Sequence, residues 1–378
     1  MQTKKKIARI LVSGLGMPSK SLGSWTQILE YLFGQYIENK IDFLLCGPTD
    51  LPFVSVATTR IICKSLRWDF VRKWYYPFKY RSYIKALERI MSSHDYIVVA
   101  VIDNIKLKNI VTDTIDRNGW QNKCRVIFMQ TGFSYDLATD VYKDFAKGLH
   151  EIILLTQTSY YSEKERYNEY PFLINVLHNP IRNDIFYMLP AESKILLKQQ
   201  LGIITTEKMF LWVSHDRPKK GLDIMLMMWP IVVAKHPGAQ LVVIGAKRDI
   251  VLPGLRFEGR LPNTEIAKFY QAADVFLFSS LCKEGFGLSL AEAMSCGCFC
   301  LASDVGGVNE FFNEKYGIIV TKPNYTQAWV DAIDAYYENP KKIEYSSQPI
   351  FLTYDEWCYR FQEIISTSIQ FLIQSANR

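Results

Sequence analysis

A buried strand, a glycine turn and a helix follow one another twice in the last third of the chain, and this repeat constrains the fold most. In the first copy, the apolar residues 274–280 precede Gly285 and Gly287; in the second, residues 298–302 precede the turn 304–310. Glycines let the backbone approach a ligand closely, and the amides that begin a helix are donors for phosphate oxygens. Ligands of parallel sheets lie at the carboxyl ends of the strands, so the repeat predicts an anion site formed by both turns.

Two carboxylates frame the first turn. Glu284 lies within the turn, and Glu292 follows eight residues later, about 12 Å further along a helix axis. One carboxylate could bind hydroxyl groups of a sugar and the other a ribose. Either residue alone would equally fit a surface glutamate on an ordinary helix, but their spacing around the glycine turn favours a sugar-nucleotide site.

These residues carry a resemblance to a known family. The run from Glu284 through Gly287 to Glu292, followed by Gly306, Gly307 and Glu310, resembles the retaining GT-B glycosyltransferases of family GT4 with their Glu-x7-Glu signature. The strand 210–214 and the basic turn that follows it are similar to the diphosphate-binding turn of that family. The resemblance extends over residues 179–340 and is loose upstream of them.

The resemblance implies an α/β fold of the GT-B type, with two Rossmann-like domains facing across a cleft. We expect an acceptor-binding domain at 1–178, a nucleotide-sugar-binding domain at 179–348 and a C-terminal helix, 349–378, that packs back on the first domain. A chain of 378 residues exceeds the usual reach of one hydrophobic core, which agrees with two domains. In the first half, apolar runs alternate with helical patterns, as in a parallel sheet.

The family pattern also assigns candidate site residues. Glu284 would position the transferred sugar, while Arg217 and Lys220 would stabilise the leaving diphosphate. Arginine offers a planar fork to phosphate oxygens, lysine offers a point charge, and the helix-start amides near Gly307 would add donors. The other predicted contacts to the donor are Gly23, His215, Arg260, Leu261, Gly285, Phe286, Gly287, Leu288, Glu292 and Gly307.

No metal or other cofactor is expected. Cys296, Cys298 and Cys300 alternate along a predicted strand, which would string them along one face rather than wrap them around an ion. The five histidines show no ligand spacing, and the eight cysteines look like reduced packing residues. The resemblance agrees, because GT4 enzymes neutralise the leaving diphosphate with Arg and Lys.

The sequence departs from the family at two positions. His215 follows Ser214 where many members carry Gly-Arg, so Arg217 replaces that arginine or His215 serves in its place. Many members also have a histidine near the reacting carbon, where this chain has Gln130 and Thr131. Its loss would mean a different sugar contact, slower chemistry or no catalysis.

The function implied by the resemblance is transfer of a sugar from a nucleotide-sugar donor to a glycan or lipid-linked acceptor, with retention of configuration, in cell-surface polysaccharide synthesis. Alternatives are a sugar-nucleotide epimerase of the same fold and a noncatalytic sugar-nucleotide-binding subunit. A nicotinamide-dependent dehydrogenase could use Gly14 and Gly16, although the third glycine of that fingerprint is missing.

One segment indicates where the protein acts. Residues 60–89, from Arg60 to Arg89, hold nine basic and two acidic residues interleaved with aromatic ones. This mixture suits an anionic membrane surface or a lipid-diphosphate acceptor, or else a solvated face whose aromatic residues turn into the core. No nucleic-acid-binding module surrounds it, and no run of 18 apolar residues occurs. We therefore expect a cytoplasmic protein, peripheral at the inner face of the membrane.

Overall fold

The chain forms two compact α/β units. The computed structural model describes residues 5–19, 24–55, 57–64, 79–133, 135, 137–167, 169–341, 343–344, 346 and 350–376. One unit, here unit 1, comprises Met1–His178 and Tyr354–Arg378, and unit 2 comprises Asn179–Thr353.

Unit 1 is built on a parallel sheet in the order β3-β2-β1-β4-β5-β6-β7. Its strands are β1 (Ile7–Gly16), β2 (Phe43–Gly47), β3 (Thr59–Ile62), β4 (Tyr96–Ile102), β5 (Cys124–Met129), β6 (Glu151–Leu154) and β7 (Leu173–Val176). Its first helices are α1 (Ser24–Gly34), α2 (Arg81–Ser92), α3 (Ile105–Arg117), α4 (Thr139–Ala146) and α5 (Gln157–Lys164), with a 3₁₀ turn at Gln121–Lys123. All seven residues of β4 are buried, as expected of a central strand covered on both faces.

Unit 2 repeats this architecture with a parallel sheet in the order β10-β9-β8-β11-β12-β13. Its strands are β8 (Met209–Val213), β9 (Gln240–Ile244), β10 (Leu255–Gly259), β11 (Val275–Phe278), β12 (Phe299–Ser303) and β13 (Gly317–Val320). Its helices are α6 (Ala191–Gln200), α7 (Leu222–Lys235), α8 (Asn263–Ala272), α9 (Leu288–Ser295) and α10 (Thr326–Glu338), with 3₁₀ turns at Pro218–Lys220 and Gly306–Glu310. The predicted α/β class with two Rossmann-like domains is confirmed.

The last helix, α11 (Tyr354–Ala376), lies in unit 1 and packs on β4, β5 and α1. Its apolar side is buried, and Trp357 stacks on Phe361 with ring centroids 5.0 Å apart. Ser368 on the same helix joins the ion pair of Arg125 and Glu151, whose Nη2 and Oε1 atoms are 3.0 Å apart. The helix therefore adds both apolar contact and a buried polar anchor to unit 1.

The basic aromatic segment 60–89 is described only in part, since residues 65–78 lie outside the described ranges. Tyr83 is buried in the core, and its hydroxyl donates to the Ser13 carbonyl oxygen over 2.9 Å. Tyr80 is also buried, and Arg60 donates to backbone carbonyl oxygens. These three residues therefore serve internal packing, and the membrane-facing interpretation of the segment as a whole stays a prediction. Within the described part of the chain, no helix combines the length and the apolar character needed to cross a bilayer.

Candidate functional site

In unit 2, the strand order reverses direction between β8 and β11, and the loops that follow these strands lie side by side. Such a switch point opens a crevice at the carboxyl ends of the strands. The two loops are joined by hydrogen bonds. The Trp212 indole donates to Ser279 Oγ over 2.9 Å, and Ser279 Oγ donates to the Lys220 carbonyl oxygen over 2.9 Å. The Leu281 amide donates to the Lys219 carbonyl oxygen over 2.8 Å.

Gly221 makes this close approach of the loops possible. Its φ of 74° lies in the left-handed region that favours glycine, and a Cβ there would collide with the Ser279 carbonyl oxygen. Gly221 also precedes α7, so the loop turns sharply from the 3₁₀ turn Pro218–Lys220 into the helix. The position of Lys220 therefore depends on this glycine.

Lys220 and Glu284 form an ion pair across the switch point. The Lys220 ammonium donates to Glu284 Oε1, which also accepts from Ser280 Oγ over 2.5 Å. Both side chains are largely buried, with 23% and 17% of their surfaces exposed. Among the described residues, the other carboxylate oxygen of Glu284 has no hydrogen-bond partner, so it can accept a ligand hydroxyl. These two predicted catalytic residues thus lie together.

A cationic surface surrounds the pair. His215 and Arg217 are exposed on the loop after β8, and Arg260 is exposed just after β10. Burial lowers the pKa of His215, and the charges of Arg260, Arg217 and Lys220 lower it further. A neutral imidazole beside three fixed cations leaves a net positive field, which attracts a diphosphate.

The one carboxylate within this basic loop is paired with a residue that the sequence did not single out. Arg248, after β9, binds Asp216 through two hydrogen bonds of 2.6 and 3.0 Å and also binds Asp223. The hydrogen bond to Arg248 holds the pKa of Asp216 below its usual range. Arg248 carries one positive charge and pairs with both aspartates, so it offsets part of the negative charge that Asp216 presents to an incoming anion.

The turn into α9 places backbone rather than side chains beside Glu284. Gly287 has a φ of 92° and precedes the helix, whose first residue is Leu288. The side chain of Phe286 points into the core and packs on Phe311, with ring centroids 4.7 Å apart, and on Phe351. The Phe286 side chain therefore belongs to the core, and its predicted donor contact, like that of Gly285, stays a prediction for the backbone of this turn.

The loop after β12 contacts the backbone of Glu284. It forms a 3₁₀ turn, not the α-helix that its glycines predicted. A Cβ on Gly306 would collide with the Glu284 backbone, and the Gly307 amide donates to the Glu284 carbonyl oxygen over 2.9 Å. This amide is already used inside the protein, so the expectation that it is an open phosphate donor is wrong.

Glu292 lies on α9 beside Tyr270 of α8 and is only partly exposed. Burial raises its pKa to about 8, and the Tyr270 hydroxyl opposes this rise. Because the carboxyl group is desolvated, it is predominantly protonated at neutral pH without a ligand. Its predicted contact with a ribose stays a prediction, as do those of Arg260 and the partly exposed Leu261. Gly23 lies outside the described residues.

In unit 1, the residues at the place of the family histidine have different surroundings. Gln130 is buried, and its amide nitrogen donates to the Phe133 carbonyl oxygen over 2.5 Å and to Glu163 over 3.1 Å. Thr131 is partly exposed, and its hydroxyl donates to Asp103 over 2.6 Å. Gln130 therefore serves internal structure, and Thr131 is the one that can meet a ligand.

The glycines of β1 are explained by packing. A Cβ on Gly14 would come within 2.6 Å of the Asn104 amide nitrogen, and one on Gly16 would collide with the Pro48 carbonyl oxygen. Neighbouring loops thus require both glycines, and a dinucleotide fingerprint is not needed to account for them. Among the residues that the structure describes, no three His, Cys, Asp or Glu side chains are grouped so that they could hold a metal ion.

Solved structures share the fold over almost the entire chain. Sucrose-phosphate synthase from Thermosynechococcus elongatus matches with a TM-score of 0.71 at 15% identity, over 95% of this chain and 98% of the other. HepE of Anabaena, in complex with UDP and glucose, matches with a TM-score of 0.68 at 15% identity, over 96% of this chain and 100% of the other. The fold is therefore of the GT-B class.

The sequence comparisons give a family match for part of unit 2. Residues 193–348 match the model of the family Glycosyl transferases group 1. A Corynebacterium glutamicum protein, GDP-mannose-dependent monoacylated alpha-(1-6)-phosphatidylinositol monomannoside mannosyltransferase, is 27% identical over 187 residues, 45% of this chain and 49% of the relative. Matches to the most similar curated relatives cover less than two thirds of each relative's length. Residues 193–348 are therefore similar to a glycosyl transferases group 1 domain, the part of the chain in which the resemblance was expected.

Proposed function

We propose that the protein transfers a sugar from a nucleotide-sugar donor to a glycan or lipid-linked acceptor, with retention of configuration. The observation that carries this proposal is the Lys220–Glu284 pair at the switch point of unit 2, within a cationic surface and beside the start of α9. The ion pair thus places a cation that can bind the diphosphate next to a carboxylate that can bind sugar hydroxyl groups. A nucleotide sugar carries a diphosphate and sugar hydroxyl groups directly next to each other.

The chemistry follows from these contacts. Negative charge develops on the leaving diphosphate as the bond to the anomeric carbon breaks, and Lys220 with Arg217 stabilises that charge. Lys220 and Ser280 hold one oxygen of Glu284, and its other oxygen positions the sugar; Glu284 does not act as a nucleophile in this mechanism. The acceptor attacks on the face from which the diphosphate leaves, and a phosphate oxygen takes the proton of the acceptor. Fixed side-chain cations meet the diphosphate charge, so a metal ion is not required.

Relatives support the donor and acceptor classes. The Anabaena structure with UDP and glucose supports a nucleotide-sugar donor for this fold. The names of the corynebacterial relative and of phosphatidyl-myo-inositol mannosyltransferase from Mycobacterium tuberculosis, 33% identical over 24% of this chain and 26% of the relative, support a lipid-linked acceptor. On this basis the protein acts at the inner face of the membrane in the synthesis of cell-surface polysaccharide.

A thermal-shift screen of UDP-, GDP- and ADP-sugars tests the donor. A ligand at about 100 Kd should stabilise the chain by roughly 2.7 kcal/mol. With the selected donor, NMR of the product reports the anomeric configuration, and addition of EDTA should leave the rate unchanged. Isomerised donor in the absence of acceptor would indicate an epimerase instead. Donor binding with neither transfer nor slow hydrolysis would indicate a noncatalytic subunit.

Sedimentation with liposomes tests the membrane assignment. The protein should be recovered with vesicles that contain anionic lipid and much less with neutral vesicles, because residues 60–89 are strongly basic. Equal recovery with both vesicle types would contradict the assignment.

A further inference from the structure

The switch point of unit 1 holds a second group of polar residues that the proposed donor site does not use. The strand order reverses between β1 and β4, so a crevice is expected at the carboxyl ends of these strands. Asp103 directly follows β4, and Thr131 lies at the end of the neighbouring strand β5. Asp103 follows the strand that corresponds to β11 of unit 2, so its position in unit 1 corresponds to that of Glu284.

The backbone of Asp103 is strained. Its φ is 45°, and it is the one non-glycine residue with a positive φ in the described part of the chain. A left-handed conformation costs a non-glycine residue about 1 kcal/mol or more and persists where surrounding contacts enforce it. Here the Asp103 amide donates to the Met129 carbonyl oxygen over 2.9 Å, which fixes the residue at the last rung between β4 and β5. Such strain is found most often at binding and catalytic sites.

The carboxylate of Asp103 is held in place from one side. The Thr131 hydroxyl donates to Asp103 Oδ2 over 2.6 Å, while the Thr131 amide, over 3.3 Å, and the Tyr135 hydroxyl both donate to Asp103 Oδ1. The Asp103 side chain nevertheless stays exposed, whereas Tyr135 is partly buried against Phe128. The carboxylate is therefore fixed in direction and still open to solvent.

The described part of the chain gives Asp103 no cationic partner. Across the described ranges, no Lys, Arg or His lies within ion-pair distance of its carboxylate. It lies beside the amino end of α3, whose N-cap Asn104 accepts from the Leu107 amide over 3.0 Å, so the cap itself does not need Asp103. Stabilising an ion pair or capping the helix thus does not explain why an aspartate occupies this strained position.

A buried hydrogen-bond network fixes the end of β5 next to the exposed Asp103 carboxylate. Glu163 accepts from the Gln130 amide and, over 2.8 Å, from the Tyr170 hydroxyl. Burial raises the pKa of Glu163, and the hydrogen bonds from Tyr170 and Gln130 oppose the rise. Because Gln130 precedes Thr131 directly, the network fixes the residue that orients Asp103.

We infer that Asp103, oriented by Thr131 and Tyr135, binds the hydroxyl groups of a neutral sugar or cyclitol ring on the acceptor. A fixed, unpaired carboxylate accepts hydrogen bonds from neutral hydroxyls and repels phosphate groups, so it selects against an anionic ring. The inference rests on the proposed transferase function and adds the acceptor class and the residue that recognises it. Asp103 is thus a binding residue of unit 1 next to Thr131, one of the two residues at the place of the family histidine.

Saturation-transfer NMR on the full chain tests this inference. The probes are myo-inositol, octyl α-D-mannopyranoside and octyl α-D-glucopyranoside, with myo-inositol 1-phosphate as the anionic counterpart. We expect at least one neutral probe to bind wild type more tightly than the anionic probe does. Asp103→Asn should weaken that neutral probe at least about tenfold, since asparagine keeps the shape and tolerates a positive φ but loses the charge. Tyr135→Phe should weaken it less.

Asp113→Asn is the matched control, because Asp113 is exposed on α3 of the same unit. It should bind the probe as wild type does. The inference is overturned if wild type binds no neutral probe, if it prefers the phosphate, or if Asp103→Asn binds as tightly as the control. Calorimetry with UDP and GDP on the same variants separates this failure from that of the transferase proposal. Nucleotide binding that persists would leave the proposed function standing, whereas its absence in wild type would remove that function.

Discussion

The two switch points of the molecule share one architecture and differ in charge. In unit 2, the loops after β8 and β11 carry Lys220, Arg217 and His215 around Glu284, and Arg248 pairs with the intervening aspartate. In unit 1, the end of β4 carries a fixed carboxylate, Asp103, with no cation paired to it among the residues that the structure describes. Each unit has its own parallel sheet, which carries an anion site in unit 2 and a hydroxyl-binding site in unit 1. The loop residues, not the sheets, determine this difference.

The largest expected effect is on transfer. Lys220→Ala should reduce kcat by about 100- to 1000-fold, because one preorganised donor to the charge of the transition state is lost. It should also leave Glu284 without its ionic partner. Neutral-probe binding at Asp103 should not change, so the variant separates the two switch points. Steady-state kinetics with the selected donor measures the effect.

Lys219→Ala is the control, since Lys219 is exposed on the same 3₁₀ turn and its side chain has no part in the pair. It should retain most of the activity. Equal losses in both variants would show that the positive charge of the turn acts as a whole and that the Lys220–Glu284 geometry is unimportant.

The second effect is on stability. Gly221→Ala should destabilise the chain by about 2 kcal/mol, because alanine would be strained at a φ of 74° and its Cβ would meet the Ser279 carbonyl oxygen. Denaturant unfolding measures this change. Gly34→Ala should be nearly neutral, since no atom lies within 4 Å of a Cβ at that position. A neutral Gly221→Ala would mean that the β8 and β11 loops are not held as tightly as described.

A third effect depends on pH. Glu292 has a pKa of about 8 in the folded chain against an ordinary value of 4.5, so folding binds its proton more tightly. Its contribution to stability is therefore present at low pH and is lost as pH rises through about 8. Glu292→Gln should differ least from wild type near pH 5 and should exceed its unfolding free energy at pH 9 by up to about 5 kcal/mol, since each pKa unit between 4.5 and about 8 is worth about 1.4 kcal/mol.

Urea unfolding at the two pH values checks this, with Glu338→Gln as an exposed control. A Glu292→Gln variant that differs from wild type by the same amount at both pH values would contradict the raised pKa.

The smallest effect concerns Arg248. Arg248→Met should weaken UDP or GDP binding by about three- to tenfold, because Asp216 would regain an unpaired negative charge beside the cationic loop. The loss should diminish in high salt, which screens an exposed charge. Calorimetry at two salt concentrations measures it. An unchanged nucleotide affinity would show that Asp216 lies too far from the bound diphosphate to matter.

The sequence predicted those parts of the fold that depend on local patterns. Continuous apolar runs identified buried strands such as β4 and β11, and glycine turns identified the loops at Gly221 and Gly287. The strands β3 and β7 escaped prediction, because each is short and has partly exposed residues rather than an apolar run.

Features that depend on distant contacts were not predictable. Phe286 looked like a residue of the ligand turn, but it packs on Phe311 and Phe351, which lie far away in sequence. The amide of Gly307 is used by Glu284 for the same kind of reason. Asp103 was missed because neither its positive φ nor its hydrogen bonds across to β5 leave any local sequence pattern.

Hydrogen exchange of the full chain, measured by mass spectrometry with and without a saturating UDP- or GDP-sugar, tests most directly that the switch point of unit 2 binds the donor. We expect the ligand to slow exchange in the loops 214–221 and 279–288, which carry Lys220 and Glu284, and to leave the β3 and β7 edges of unit 1 unchanged. Exchange that slows elsewhere in the chain, while both loops exchange as in the free protein, would contradict the account.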